Sequence, residues 1–439
     1  MAVIYNSYRF RIYPTAEQEE ILFCTIGCAR KVYNLTLSTY QDLYEAYSNE
    51  DIDEGTYRVL RRSVVPSIYK EDNPYLGDVD SLALNYAKRS CDAAYSNFFN
   101  GKANFPKYKS RNSTKWSYTT SRASRKSKNL RLERGGKLIL PKIPGAVKTV
   151  VHRNPKGVLM SATITKERSG KWYVSLRYEQ HIKAPEIVSE PQHPIGIDMG
   201  VKALATSSDG VIIPNRKYGY SAKGRIAKLD RKLSRQREQA KKEGKRLSDC
   251  KNYQKTRRRR ARLHEKVKNR RQDYLHKVTS QLSSSYDFIG METLSSSNMM
   301  KNHCLAYAIS DSSWNEFTTF LKYKMERDGK EVVFIDRFEK STQICSYCGK
   351  ATGSRGMSEL SIREWTCPHC CVHHDRDINA AQNILRKSIE LSTTTGTVGK
   401  EGLYSFKTGL HCSPAMEQES SSGKMLPVKI LESEAFSSL

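Results

Sequence analysis

Two pairs of cysteines, Cys345-Ser-Tyr-Cys348 and Cys367-Pro-His-Cys370, most narrowly limit what this chain can become. A Cys-x2-Cys turn is a tight knuckle that aims two thiolates at one ion, and a second knuckle completes the tetrahedron that zinc prefers. The 18 residues between the pairs fall within the range of zinc ribbons. A redox site needs one such knuckle, not two, and a shell of four thiolates leaves no open position for a substrate. The expected metal is therefore one structural Zn2+ held by Cys345, Cys348, Cys367 and Cys370. Cys371 adjoins the fourth ligand as a bystander, and His369, His373 and His374 are spare donors that the tetrahedron does not require. The rest of the 11 cysteines scatter without a disulfide framework. With no charged-then-apolar leader at the start, this points to reduced thiols in a cytosolic setting.

Acidic residues stand on both sides of the quartet. Asp198 lies in Ile195-Gly-Ile-Asp198-Met-Gly200, and Glu292 in Phe288-Ile-Gly-Met-Glu292-Thr-Leu294. Asp375 and Asp377 lie in His374-Asp-Arg-Asp377-Ile-Asn-Ala-Ala-Gln-Asn-Ile-Leu385. The first two contexts read as short apolar strands with a carboxylate at or near the end, and the third opens an alanine-rich helix. Hard divalent cations want oxygen ligands, and two-ion phosphodiester cleavage needs carboxylates converging from separate elements. Two strands and a helix start fit an RNase H-like nuclease. Each motif alone is weak: strand-end aspartates abound, Glu292 alone can cap a helix, and only one of Asp375 and Asp377 need bind metal. Gaps of 94 and 85 residues between the three acids mean that only a fold can unite them.

Of 439 residues, 74 are Lys or Arg against 46 Asp or Glu, a net charge of +28 that makes nucleic acid the first candidate partner. Apolar runs long enough for a membrane span are missing, so no membrane partner is expected. The length suits two to four domains.

Residues 1–14 open as a strand, with Tyr8, Phe10 and Ile12 alternating against Arg9, Arg11 and Tyr13. Residues 15–100 read as a helical block that begins at a Thr15/Gln18 capping box, with Leu22, Ile26, Ala29 and Tyr33 on one face. Residues 101–190 return to strands, and their 136–180 portion with the first strand forms a small barrel that the helical block splits. Within 105–118, Lys107, Lys109, Arg111, Trp116 and Tyr118 interleave cations with rings. Such a mix either meets phosphates and bases or anchors a loop to the body. Residues 191–340 hold the first two acids, 341–372 the zinc knuckles and 373–390 the third acid. The stretch 223–277 carries 23 Lys and Arg against 6 Asp and Glu. A charge run is usually a solvated helix face, but one sign inside a nuclease module favours a groove wall for a duplex backbone. The candidate contacts there are Arg257, Arg258, Arg259 and Arg260, at the turn into a second helix, with Lys266, Arg270 and Arg271. The Ser- and Thr-rich residues 391–439 read as a disordered tail.

In Gly196-Ile-Asp198 to Thr206, Met291-Glu292-Thr-Leu294, Ser341 to Gly349, Arg363 to Cys370 and Asp375-Arg-Asp377-Ile-Asn379 to Ile384, the chain resembles the TnpB family, as it does in Phe105-Pro-Lys-Tyr-Lys-Ser-Arg111. These are transposon-encoded RNA-guided endonucleases related to the type V CRISPR effectors. The resemblance spans residues 1 to about 388. It implies a multidomain α/β protein: an RNase H-like (RuvC) nuclease domain with a zinc-ribbon insertion, and a β-barrel wedge domain split by a helical recognition lobe. It further implies a guide RNA, a DNA target beside a short flanking motif, and two catalytic Mg2+ ions on Asp198, Glu292 and Asp377. Asp375 becomes the neighbour, and Arg363 aligns with an arginine near the scissile phosphate. A prokaryotic cytoplasmic, nucleoid-associated location follows. The alternatives are a nuclease-inactive RNA-guided DNA-binding repressor, a transposase accessory protein and a CRISPR-associated effector. A tyrosine transposase is disfavoured, because no two of the ten histidines form His-x-His.

Overall fold

The computed structural model describes residues 2–112, 115–183, 191–337, 339–353 and 362–394. Its first sheet holds seven strands: β1 (Ala2–Tyr13), β2 (Trp116–Ser121), β3 (Arg131–Glu133), β4 (Lys137–Ile139), β5 (Val147–Val150), β6 (Val158–Lys166) and β7 (Trp172–Ile182). They run antiparallel in the order β2-β6-β7-β1-β5-β4-β3, and among the described residues no ladder joins β3 back to β2. The expected period of two holds: Phe10 and Ile12 on β1, and Trp172, Val174, Leu176 and Tyr178 on β7, are all buried. Gly170, at φ +86°, turns β6 into β7.

Between β1 and β2 the chain forms α1 (Ala16–Ser48), α2 (Glu54–Ser63) and α3 (Ser81–Phe99), with two short 3-10 turns before α3. Thr15 and Gln18 exchange the capping-box bonds that start α1, and Leu22, Ile26, Ala29 and Tyr33 face inward. Asp80 caps α3 and accepts a hydrogen bond from Thr120 of β2. Leu22, Val32 and Leu84 of the helices join Phe10, Ile164 and Leu176 of the sheet in one continuous core. The boundaries at 14 and 100 thus mark changes of secondary structure, not separate cores.

The second sheet contains β8 (Pro194–Met199), β9 (Ala203–Ser207), β10 (Ile212–Pro214), β11 (Phe288–Glu292) and β12 (Glu331–Ile335), in the order β10-β9-β8-β11-β12. β10, β9 and β8 are antiparallel, whereas β8, β11 and β12 are parallel and need long crossovers. One crossover is the basic pair α4 (Tyr218–Lys242) and α5 (Lys251–Ser285). The other comprises α6 (Ser296–Met299), α7 (His303–Ser312) and α8 (Trp314–Arg327). Arg257 to Arg260 therefore lie inside α5, not at its entry; Gly244, at φ +64°, ends α4 seven residues before α5 begins. Glu265 of α5 accepts from Tyr173 Oη (2.6 Å) and pairs with Lys171 (3.2 Å), joining the basic helices to the first sheet.

β13 (Glu364–Thr366) and β14 (His373–Asp375) form a hairpin around the second cysteine knuckle. The final helix α9 (Arg376–Thr394) runs four residues past the expected boundary at 390, and residues 395–439 of the expected tail lie outside the described residues. Among the described residues no helix is long and apolar enough to cross a membrane.

Candidate active site and metal centre

Glycines decide how the carboxylates meet. On β8 and β11, Ile195, Ile197, Ile289 and Met291 point into a core shared with Leu275 and Leu282 of α5 and Phe317 and Leu321 of α8. Alternation turns Gly196 and Gly290 to the opposite face, together with Asp198 and Glu292 two residues further on. That face meets α9. A Cβ on Gly196 would stand 2.0 Å from the Ala381 carbonyl, and one on Gly290 would stand 2.5 Å from Ser388 Oγ. Only bare backbone permits this approach. The parallel register pairs Gly290 with Gly196 and Met291 with Ile197, so Glu292 and Asp198 come next on neighbouring strands. Asp377, one helical turn before Ala381, brings the third carboxylate to the same end of the sheet.

The electrostatics register this convergence. Burial, then the charge of Asp377, then that of Glu292 push the Asp198 carboxyl up to about 8, against a smaller lowering by Arg376. Burial pushes Glu292 up to about 7. Two acids so placed resist ionising together unless a cation answers them. Oxygen donors from three elements suit a hard ion such as Mg2+. Arg363 Nη1 lies 3.3 Å from both oxygens of Asp377. Asp375 has a different occupation: its Oδ1 accepts from the amides of Asp377 and Ile378, each at 2.9 Å, and so closes the first turn of α9.

The four cysteine sulfurs lie within 4.8 Å of one another, and among the described residues theirs is the only cluster so tight. The pairs Cys345–Cys370 and Cys348–Cys367 stand 3.7 Å apart. Zinc–sulfur bonds of about 2.3 Å at tetrahedral angles require sulfurs about 3.8 Å apart, so the quartet fits structural zinc. Thr352 Oγ1 donates to Cys367 Sγ at 3.4 Å and is the main cause holding that thiol down to about 5. His374, spare by sequence, is buried with Nε2 3.0 Å from Cys345 Sγ.

The residues expected to touch nucleic acid divide. Lys107, Arg111, Arg257, Arg258, Arg259, Lys266 and Arg270 are exposed. Tyr118 is 5% exposed in the core and cannot stack on a base without opening the sheet. Trp116 packs edge-on against Phe23, with centroids 5.4 Å apart, and donates to the Arg111 carbonyl. Lys109 sits over the Tyr33 ring at 3.5 Å, its backbone held by Asn34. These three anchor the segment. Arg260 pairs with Asp230, and Arg271 pairs at 2.5 Å with Asp311, a buried carboxylate that also takes the amides of Gly219 and Tyr220. Arg271 is thereby a structural counter-ion. The sequence reading missed Gly196, Gly290, Asn379 and Asn383; the shared pattern of Gly-x-acid at two strand ends was the available signal.

Comparison with known proteins adds family. Residues 314–384 match the "Cas12f1-like, TNB domain" model, residues 175–303 the IS605 OrfB model described as "Probable transposase", and residues 1–49 that group's "Helix-turn-helix domain" model. In this chain the last span is one strand and one unbroken helix. A Streptomyces pristinaespiralis protein named "Putative RNA-guided DNA endonuclease" is 34% identical over 397 residues, 89% of this chain and 91% of its own. An Escherichia coli K12 protein, "Putative RNA-guided DNA endonuclease InsQ", is 29% identical over 400 residues, 87% of this chain and 91% of its own. A solved Cas12f1-sgRNA-target DNA complex aligns at TM-score 0.47 and 13% identity, covering 87% of this chain and 98% of that one.

Proposed function

The chain belongs to the TnpB-type family of RNA-guided DNA endonucleases, related to the type V effectors, and from that premise we propose that it cuts guide-matched DNA with Asp198, Glu292 and Asp377. The observation that carries this reading is the convergence of the three acids, where burial and then the charges of Asp377 and Glu292 raise Asp198. Base pairing with a guide RNA supplies sequence choice, and the protein reads the hybrid by shape and charge beside a short flanking motif. Three antiparallel strands continued by two parallel ones, with α9 across one face, support an RNase H-like (RuvC) nuclease. The seven-stranded sheet is then the wedge and α1–α3, which share its core, the recognition lobe. The exposed arginines of α5 face the nucleic-acid backbone, and the cell compartment is the prokaryotic cytoplasm at the nucleoid.

Two bound Mg2+ ions would activate a water and stabilise the departing 3′ oxygen. Asp198, Glu292 and Asp377 would hold them through carboxylate oxygens, and Asp198 and Glu292 must shed their protons to do so. Arg363 keeps a fixed positive charge beside Asp377, suited to a phosphate oxygen. Asp375 holds the helix turn on which Asp377 stands.

The test begins with the RNA that co-purifies with the protein. Plasmid carrying its complement beside a randomised flank should be cut in Mg2+ and spared in EDTA. Asp198→Ala should bind the guided target without cutting it. Undiminished cutting by Asp198→Ala, or cutting without a matching guide, would overturn the proposal.

A further inference from the structure

Helix α9 carries two asparagines one turn apart, Asn379 and Asn383, which are 1% and 5% exposed. Neither touches the acids. Asn379 Oδ1 accepts from the Ser346 amide at 2.8 Å while its Nδ2 donates to the Ile344 carbonyl at 2.9 Å, so one side chain holds the backbone on both sides of Cys345. Asn383 Nδ2 donates to the Ile344 carbonyl at 2.6 Å and the Ser341 carbonyl at 2.8 Å, and its Oδ1 accepts from Arg386 at 2.9 Å. Gln382 adds an exposed bond from Ser346 Oγ at 2.7 Å.

The other half of the zinc ribbon meets the same helix. The Arg376 amide donates to the Arg363 carbonyl at 2.7 Å, and His374, two residues before α9 begins, lies against Cys345 Sγ. The first knuckle, and the hairpin that carries the second, are thus tied to α9 within seven residues of Asp377. A primary amide is the one side chain of this length that offers a donor and an acceptor together. Aspartate keeps the acceptor and loses the donor; leucine, similar in volume, loses both.

We propose that Asn379 and Asn383 are positioning residues that clamp the first zinc knuckle to α9 and thereby fix Asp377 against Asp198 and Glu292. The inference rests on the reading of Asp377 as a metal-holding acid. Four thiolates close the zinc site by themselves, so breaking the clamp leaves zinc bound and loosens the acid instead. Groups that orient metal-site ligands typically affect metal affinity or activity by about 10- to 100-fold.

Asn379→Leu, Asn379→Asp and Asn383→Leu in the guide-loaded full chain test this. Zinc content should stay at one per chain and guided target binding should be unchanged. Mn2+ affinity read by electron paramagnetic resonance should weaken about 10- to 100-fold, and the Mg2+ concentration for half-maximal cutting should rise in step. Asn379→Asp, which keeps the Ser346 bond, should fall between wild type and Asn379→Leu, and it carries the test if the leucine variants do not fold. Unchanged Mn2+ affinity and Mg2+ dependence in Asn379→Asp and any folded leucine variant would refute the clamp, even if their melting temperatures drop. Asp198→Ala separates the two readings: if it still cuts, the acid assignment fails, whereas a dead Asp198→Ala beside normal asparagine variants sinks only the clamp.

Discussion

The cysteine quartet and the carboxylate trio solve the same problem, gathering like-charged ligands, at opposite scales. Each cysteine pair spans four residues, and the knuckle delivers its sulfurs with little help from the rest of the protein. The carboxylates arrive from β8, β11 and α9 and depend on a helix lying on two glycines. The cysteines stand at tetrahedral separations; the acids do not cluster so tightly, and burial, then the charges of its two neighbours, raises the Asp198 carboxyl while burial raises Glu292. A local site tolerates distant change, whereas an assembled site inherits every error of the fold.

The largest expected effect tests whether the trio acts as a unit. Glu292→Ala or Asp377→Ala should slow guided cutting by about a thousandfold or more, the equivalent of several kcal/mol of barrier. Asp375→Ala removes a helix cap worth about 1 kcal/mol and should be milder. A dead Asp375→Ala beside an active Asp377→Ala would reverse the assignment.

Next comes the quartet. Wild type should carry about one zinc per chain, and Cys348→Ser should lose most of it and loosen the ribbon. Elemental analysis of protein purified without chelators decides; a zinc-free wild type would break the comparison at its root.

A smaller effect separates assembly from chemistry. Gly196→Ala drives a Cβ into the Ala381 backbone, and overpacking of this kind costs about 1–3 kcal/mol. Gly290→Ala meets chiefly a serine side chain and should cost less. Both should keep their zinc. Urea denaturation with metal analysis checks this, and equal penalties would contradict the close helix approach at Gly196.

The mildest signature is in pH. Asp198 and Glu292 hold protons in the folded chain up to about 8 and about 7 but release them near 4 when unfolded. The folded state therefore binds more protons across that window, and stability falls as pH rises through it. Magnesium-free, zinc-loaded protein should melt at a lower temperature at pH 8.5 than at pH 6, and Asp198→Asn should flatten the difference. A melting temperature that climbs with pH would show the acids to be ordinary.

What the sequence made legible follows the same division of scale. The quartet, the capping box at Thr15, the alternation in β7 and the strand or helix context of each acid are local patterns, readable from a few neighbouring residues. The pairing of glycines with α9 was not, because nothing in Gly-Ile-Asp says which helix will lie on it. Tyr118 and Trp116 looked like stacking rings, yet their partners come from a helix nearly a hundred residues upstream and from the rest of the sheet. Arg260 and Arg271 looked like phosphate contacts, but Asp230 and Asp311, 30 and 40 residues away, had claimed them. Charge counts see the excess of cations but not which are neutralised.

The place of β1 in the first sheet has a consequence for how the protein is made. It leaves the ribosome before the other six strands of that sheet, yet it lies inside the sheet, and its ladder with β7 joins residues 160 to 180 positions apart. At about 5–20 residues per second, synthesis needs roughly ten to thirty-five seconds to supply that partner. Through that interval β1 shows a row of unpaired amides and carbonyls, an open template for stray strands. Helices α1 and α3, whose contacts are far more local, are free to pack first and shelter its apolar side. Pulse-labelled hydrogen exchange during refolding of the full chain should protect α1 before β1. Protection of β1 first would mean that the sheet, and not the helices, organises the amino-terminal half.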